Sequence, residues 1–178
     1  MKSTIAILIA AFALLTLPAH GEEKENLAVA GLTFEYGEPW IRQQPASSMR
    51  AGQLLYDHED ENLKDVELVL FFFGGSGGSV RANLDRWIGQ FSPAPKSSEE
   101  EVEIDGTTLT ILEASGTYME SSGGPFSGNK TARENYTMLA AIVPGTEGNV
   151  FLKLTGPNDS VAAMKDAFMA FAKSPFAE

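Results

Sequence analysis

The chain has 178 residues, with 24 acidic against 13 basic side chains for a formal net charge of −11, and it contains no cysteine. Such a charge argues against nucleic acid or an anionic membrane surface as partner, because both are held by clustered Lys and Arg. Without thiols there are no disulfides and no thiolate zinc sites, so the fold must rest on its core; 43% hydrophobic residues, with 11 phenylalanines, are enough to build one.

The first residues read as an export signal. Lys2 gives a positive start, and residues 5–15 form an apolar run shorter than the ~20 residues a spanning helix needs. Pro18-Ala19-His20-Gly21 then offers small residues for cleavage after Gly21. Residues 1–21 are therefore expected to be a signal peptide, 22–30 a polar N-terminal segment and 31–178 a single α+β domain. The expected location is periplasmic or secreted, with no membrane insertion after signal cleavage.

Alternation over residues 31–36 predicts a first strand, Trp40 and Ile41 follow a Gly37-Glu38-Pro39 turn, and residues 49–56 predict a second strand. Residues 58–62 are a charged turn. Residues 66–73 carry the strongest strand signal; they are apolar on both faces over most of their length, so this strand should be central and covered on two sides. Gly74-Gly75-Ser76-Gly77-Gly78 ends it. Ser79 is placed to cap a helix over residues 80–91, whose buried stripe would be Val80, Leu84, Ile88 and Phe91.

Residues 92–98 read as a Pro/Ser linker. Residues 101–104 and 107–112 flank Asp105-Gly106 and predict a hairpin. Residues 119–133 read as a long polar connection, of a length that is usually functional or mobile. Residues 136–143 and 149–155 predict a second hairpin. The last helix is expected over residues 159–173, with Val161, Met164, Phe168 and Phe171 facing the core. Lys165 and Lys173 lie toward its C-terminal half, where the helix dipole favours cations. The order β-β-β-α-β-β-β-β-α, joined by tight hairpins, predicts an α+β fold: an antiparallel β-sheet of about six or seven strands flanked by two main helices as an α/β/α sandwich.

The segment Phe72-Phe73-Gly74-Gly75-Ser76-Gly77-Gly78-Ser79-Val80-Arg81-Ala82-Asn83-Leu84-Asp85-Arg86-Trp87-Ile88-Gly89-Gln90-Phe91 resembles one in a group of uncharacterised exported bacterial proteins. Phe151 to Pro157 and the helix ending Phe168-Met169-Ala170-Phe171-Ala172-Lys173-Ser174 are similar to the end of the same group. The element order also resembles the sandwich of PsbP-like photosystem proteins and of a Ran-binding import factor. That resemblance implies a binding or assembly factor and brings no catalytic residue with it; fold analogy does not by itself decide function.

Gly74 to Gly78 matches G-x-S-x-G between a strand and a helix, the place of a nucleophile elbow. The base it would need is missing from the expected position: beyond the signal segment the one histidine is His58, which precedes Ser76. No Lys-Ser or Lys-Thr follows at the spacing of a P-loop, and Val80 occupies the third glycine position of a dinucleotide fingerprint begun at Gly75. What remains is a run of backbone N–H groups before a helix, able to hold an anion, or a turn in which glycine supplies positive φ. Beside it, Asn83, Trp87 and Gln90 form a second stripe with Arg86; this is a binding surface, or Trp87 packs under a neighbouring loop. Arg81 and Asp85 are spaced for a surface ion pair.

The acidic runs 57–61 and 99–101 lack the frame of a calcium loop, and His58 has no second histidine for a transition metal. The candidate ligand-binding residues are thus Gly75, Ser76, Gly77, Asn83, Arg86 and Trp87, with no catalytic residue, no metal and no cofactor. The expected function is a non-enzymatic exported binding or accessory module of the cell envelope, with an envelope protein or a small ligand as partner. The alternative is a small serine hydrolase using Ser76. The export reading predicts that protein isolated from the producing cell begins at Glu22 on N-terminal sequencing; a retained Met1 overturns it.

Overall fold

In a computed structural model of the chain, the residues described are 23–121 and 129–177; the expected signal segment and the middle of the 119–133 connection lie outside them. Nine strands and two α-helices follow in the order β1 (Glu25–Val29), β2 (Leu32–Tyr36), β3 (Trp40–Arg42), β4 (Arg50–Tyr56), β5 (Val66–Phe72), α1 (Val80–Ile88), β6 (Lys96–Ile104), β7 (Thr107–Ser121), β8 (Lys130–Val143), β9 (Val150–Pro157) and α2 (Asn158–Lys173). Seven strands form one antiparallel sheet in the order β3-β4-β5-β9-β8-β7-β6, and β1 pairs with β2 in a separate two-stranded sheet.

The period-two geometry of strands sorts the core into two layers. Leu54, Leu68, Leu154 and Leu139 stand opposite one another across β4, β5, β9 and β8 and face α2. The next row, Gln53, Val69, Lys153, Ala140 and Leu112, faces the other way, toward α1. On the first face α2 buries Val161, Met164, Phe168 and Phe171, the stripe expected from its spacing. Phe171 stacks on Phe34 of β2, with ring centroids 5.1 Å apart, so the β1–β2 hairpin and α2 close this face together. On the second face Leu84, Trp87 and Phe91 pack on Leu112, Ala114, Met138, Ala140, Ile142 and Phe151. The result is the α/β/α arrangement; β5 is an inner strand buried on its α2 face, while on the other face Val69 is buried and Glu67 and Phe71 stay partly exposed, so the double cover expected of it is incomplete.

Several boundaries differ from the sequence reading, among them the end of α1, which is at Ile88 rather than residue 91. The segment read as a polar N-terminal stretch contains β1, because its alternate residues Leu27 and Val29 are buried while the rest face water. Its turn to β2 places Ala30 (φ 51°) and Gly31 (φ 76°) both at positive φ, the conformation of a two-residue hairpin loop; Asp105 and Gly106 repeat it at the predicted turn between β6 and β7. Trp40 and Ile41 belong to a short edge strand, in which Trp40 packs edge-on against Tyr56 at 4.9 Å. The linker 92–98 is strand from Lys96 onward, and the 119–133 connection is strand up to Ser121 and again from Lys130. Residues 96–101 and 130–135 are exposed, so their strand character comes from backbone pairing and leaves no apolar alternation to read.

Phe168 is fully buried, whereas Phe71, expected to be equally deep, is half-buried at the margin of the α1 layer. Phe168→Ala should cost about 3–5 kcal/mol, the usual price of emptying a large buried aromatic site, and Phe71→Ala clearly less. Urea unfolding midpoints check this; equal losses in the two variants would overturn the assignment of depth.

Candidate functional site

The glycine segment forms a 3₁₀ turn at Gly74–Ser76 between β5 and α1. Gly74 (φ 61°) and Gly78 (φ 80°) supply positive φ. Gly77 is needed for a different reason: its φ is −65°, but a Cβ there would stand 2.6 Å from Phe151 Cε2. Gly75 is exposed with open space around its Cα. Ser79 caps α1, its Oγ accepting a hydrogen bond from the Ala82 N–H at 3.2 Å.

Two of the residues expected to meet a ligand are turned inward. Asn83 is 2% exposed; its Nδ2 donates to the carbonyls of Gly77 (2.8 Å) and Ser79 (2.9 Å), and its Oδ1 accepts from Arg86 Nη2 at 2.6 Å. Trp87 is 3% exposed and meets Phe151 edge-on at 6.3 Å. The buried face of α1 is therefore Asn83, Leu84 and Trp87, while Val80, expected in the core stripe, is 38% exposed. With the helix rotated this way, Asn83 satisfies the Gly77 carbonyl and adds a second bond to the Ser79 carbonyl, which already accepts the Asn83 N–H. Arg86 stays exposed.

The serine of the G-x-S-x-G match and the histidine that would have to serve it are at opposite ends of β5. Ser76 follows the strand and His58 precedes it, in the β4–β5 turn. The seven residues of β5 at ~3.3 Å each put roughly 20 Å between them. His58 instead packs edge-on against Tyr56 at 4.8 Å, with its backbone N–H donating to Asp65 Oδ1 at 3.2 Å.

The chemistry on this side of the sheet is concentrated at a residue that sequence reasoning passed over. Lys153 stands in the α1-facing row between Val69 of β5 and Ala140 of β8. Its Nζ donates to Gln90 Oε1 at 2.5 Å and to Tyr118 Oη at 3.2 Å, and lies 5.3 Å from the centre of the Tyr118 ring. Tyr118 is fixed in turn, edge-on to Phe91 at 5.5 Å and stacked with Tyr136 at 6.5 Å. Desolvation of the amine, and secondarily the charge of Arg86, pull the Lys153 pKa down to about 8. Burial, first of its causes, pushes the Tyr118 phenol up.

Lys24, Arg50, Arg81, Arg133 and Lys165 each reach a carboxylate within 3.1 Å. Among the described residues neither Lys153 nor Arg86 has a carboxylate partner. The signal in the sequence is a lone lysine inside Val150-Phe151-Leu152-Lys153-Leu154: a charge in an otherwise apolar strand is held away from open solvent, and Lys153 is only partly exposed. The described residues hold no cluster of three or more His, Cys, Asp or Glu able to bind a metal, and no helix among them is long and apolar enough to cross a membrane.

With this geometry in view, the fold has counterparts among solved structures. The chain is similar to the solution structure of cyanobacterial PsbP (CyanoP) from Synechocystis sp. PCC 6803, at 14% identity and a TM-score of 0.53, over 90% of this chain and 96% of that one. It is also similar to LpqN, involved in cell envelope biogenesis of Mycobacterium tuberculosis (15% identity, TM-score 0.48, 86% and 84% of the two chains), and to PA94 of Pseudomonas aeruginosa, a protein of unknown function (11%, 0.47, 82% and 91%). No family model and no curated sequence matches the chain. The likeness to CyanoP shows a PsbP-like α+β fold.

The lowered pKa has a thermodynamic consequence. Between about 8 and the ~10.4 of an unfolded lysine, the unfolded chain binds more protons at residue 153 than the folded one, so this group's cost is full below pH 8 and fades as pH rises. Relative to Lys153→Met, the wild type should gain stability across that window, by at most ~1.4 kcal/mol per pH unit. Parallel denaturation of the two proteins as a function of pH measures it; a constant difference would overturn the assignment.

Proposed function

We propose that the protein is a non-enzymatic binding or accessory module of the cell envelope, exported to the periplasm or beyond, with an envelope protein or a small ligand as its partner. The observation that carries this reading is the separation of Ser76 from His58 by the length of β5. A serine hydroxyl becomes a nucleophile only with a base in hydrogen-bond reach, and the topology holds this pair apart. The rest of the turn is occupied with holding itself together: Asn83 ties it to α1, and Gly77 lets it close over Phe151.

The PsbP-like fold supports the reading only as an analogy of architecture. Of the six residues first considered for ligand contact, we retain Gly75 and Arg86 as exposed contacts. Gly77, Asn83 and Trp87 act behind them as the frame that fixes Arg86. The test is hydrolysis of an activated ester by wild type and Ser76→Ala. Equal rates, indistinguishable from the uncatalysed reaction, are expected; turnover that disappears in a folded Ser76→Ala variant would overturn the proposal in favour of a hydrolase.

A further inference from the structure

Lys153 is an expensive residue where it stands. The strand around it is buried and the lysine itself is only partly exposed, so its amine loses much of its hydration without the anion that ordinarily compensates such a charge. Replacing a buried charge by an apolar side chain of similar volume is often neutral or stabilising, so packing alone gives no reason for a lysine here. An ammonium group has three donors; Gln90 Oε1 and Tyr118 Oη take two. Both acceptors are neutral, so the positive charge is oriented and left uncompensated.

A second cation lies about one helical turn from the side chain that holds the first: Arg86 and Gln90 are four residues apart along α1 and the turn that ends it, and Gln90 accepts from Lys153. Arg86, exposed on α1, spends one guanidinium nitrogen on Asn83 Oδ1 and has no carboxylate partner among the described residues. Both cations are held from behind. Asn83, anchored to Gly77 and Ser79, orients Arg86, and the Phe91–Tyr118–Tyr136 stack holds the phenol against Lys153. Two like charges brought together on a framework that neutralises neither are the reverse of what a chain of net charge −11 would do for stability alone.

We propose that Lys153 and Arg86 hold the carboxylate of a small ligand, with Gln90 and Tyr118 positioning the lysine amine. This rests on the binding-module reading and names the ligand class for it. A carboxylate fits because its two oxygens can take one donor from the ammonium and one or two from the planar guanidinium fork. A phosphate dianion, with three oxygens, calls for more donors than the site offers. Glu120, whose charge reaches the Tyr118 phenol, is engaged by Arg133 at 2.8 Å. The bound anion would also repay the desolvation of Lys153 by favouring its charged form.

The test follows the titration of Lys153 by NMR in protein carrying labelled lysine, the resonance being assigned by its loss in Lys153→Met. Spectra are recorded with excess sodium acetate, with inorganic phosphate, and with sodium chloride at matched ionic strength. Acetate should move the Lys153 midpoint upward in a saturable way that chloride does not reproduce. Arg86→Gln, a change at an exposed side chain, should leave the fold intact and weaken acetate binding roughly tenfold, as for one lost charge-assisted contact. The proposal is overturned if acetate gives no saturable shift, if chloride gives the same shift, or if Arg86→Gln binds acetate as the wild type does. A saturable shift with phosphate and none with acetate would overturn the carboxylate assignment while leaving a binding module standing; ester turnover dependent on Ser76 would instead remove the module reading itself.

Discussion

The molecule depends on one constraint: its central strands are apolar on both faces and must be covered twice. β9 and the second half of β8 bury residues toward both α2 and α1, and β5 buries its α2 face; an uncovered face would leave a broad apolar surface in water at ~25 cal/mol per Å². The two covers are built differently. α2 brings four large side chains and is joined by the β1–β2 hairpin through Phe34 and Phe171. α1 has only nine residues and covers less of its face, with Leu84, Trp87 and Phe91 over β7, β8 and β9. The polar residues that carry chemistry are found where this shorter cover ends.

That asymmetry explains the glycine turn better than any catalytic motif does. A nine-residue helix laid across a sheet is fixed chiefly by its ends. The start of α1 is fixed by the Ser79 cap and by Asn83 reaching back to two carbonyls of the turn. The turn approaches the sheet so closely that Gly77 meets Phe151 with no room for a Cβ. Glycine, asparagine and tryptophan together looked like a surface for a ligand; in the fold they are the joint between helix and sheet, and their placement determines where Arg86 projects.

The parts of the fold legible in the sequence were those in which burial and periodicity agree. The α2 stripe, the inner strand β5 and the Asp105-Gly106 turn could all be read because each leaves a pattern of residue types. β1 was missed because two buried side chains, with Glu25, Asn26 and Ala28 exposed around them, make too short an alternation. The outer halves of β6 and β8 were missed because hydrogen bonds between exposed backbones leave no mark on side-chain polarity. At the site, the sequence singled out Arg86 but not Lys153. A stripe on a helix can be seen in one segment, whereas Lys153 gains its meaning from Gln90 and Tyr118, which come from other parts of the chain. Its one local sign, a charge within an apolar run, was present all the same.

Magnitudes decide which of the molecule's cations is informative about function. Lys24, Arg81 and Arg133 make exposed ion pairs that water and salt screen, so they contribute little. Lys153 differs in kind: it is partly buried in an apolar strand and has no counter-ion among the described residues, and a charge so placed is stabilised less by water than one on the surface. Such a cost persists in a fold only where something other than folding requires it. The neutral hydrogen bonds to Gln90 and Tyr118 reduce the cost without cancelling the charge, which keeps the amine oriented and electrostatically unsatisfied. In a molecule otherwise dominated by carboxylates, that combination distinguishes a place kept for an anion from a place that has merely tolerated a lysine.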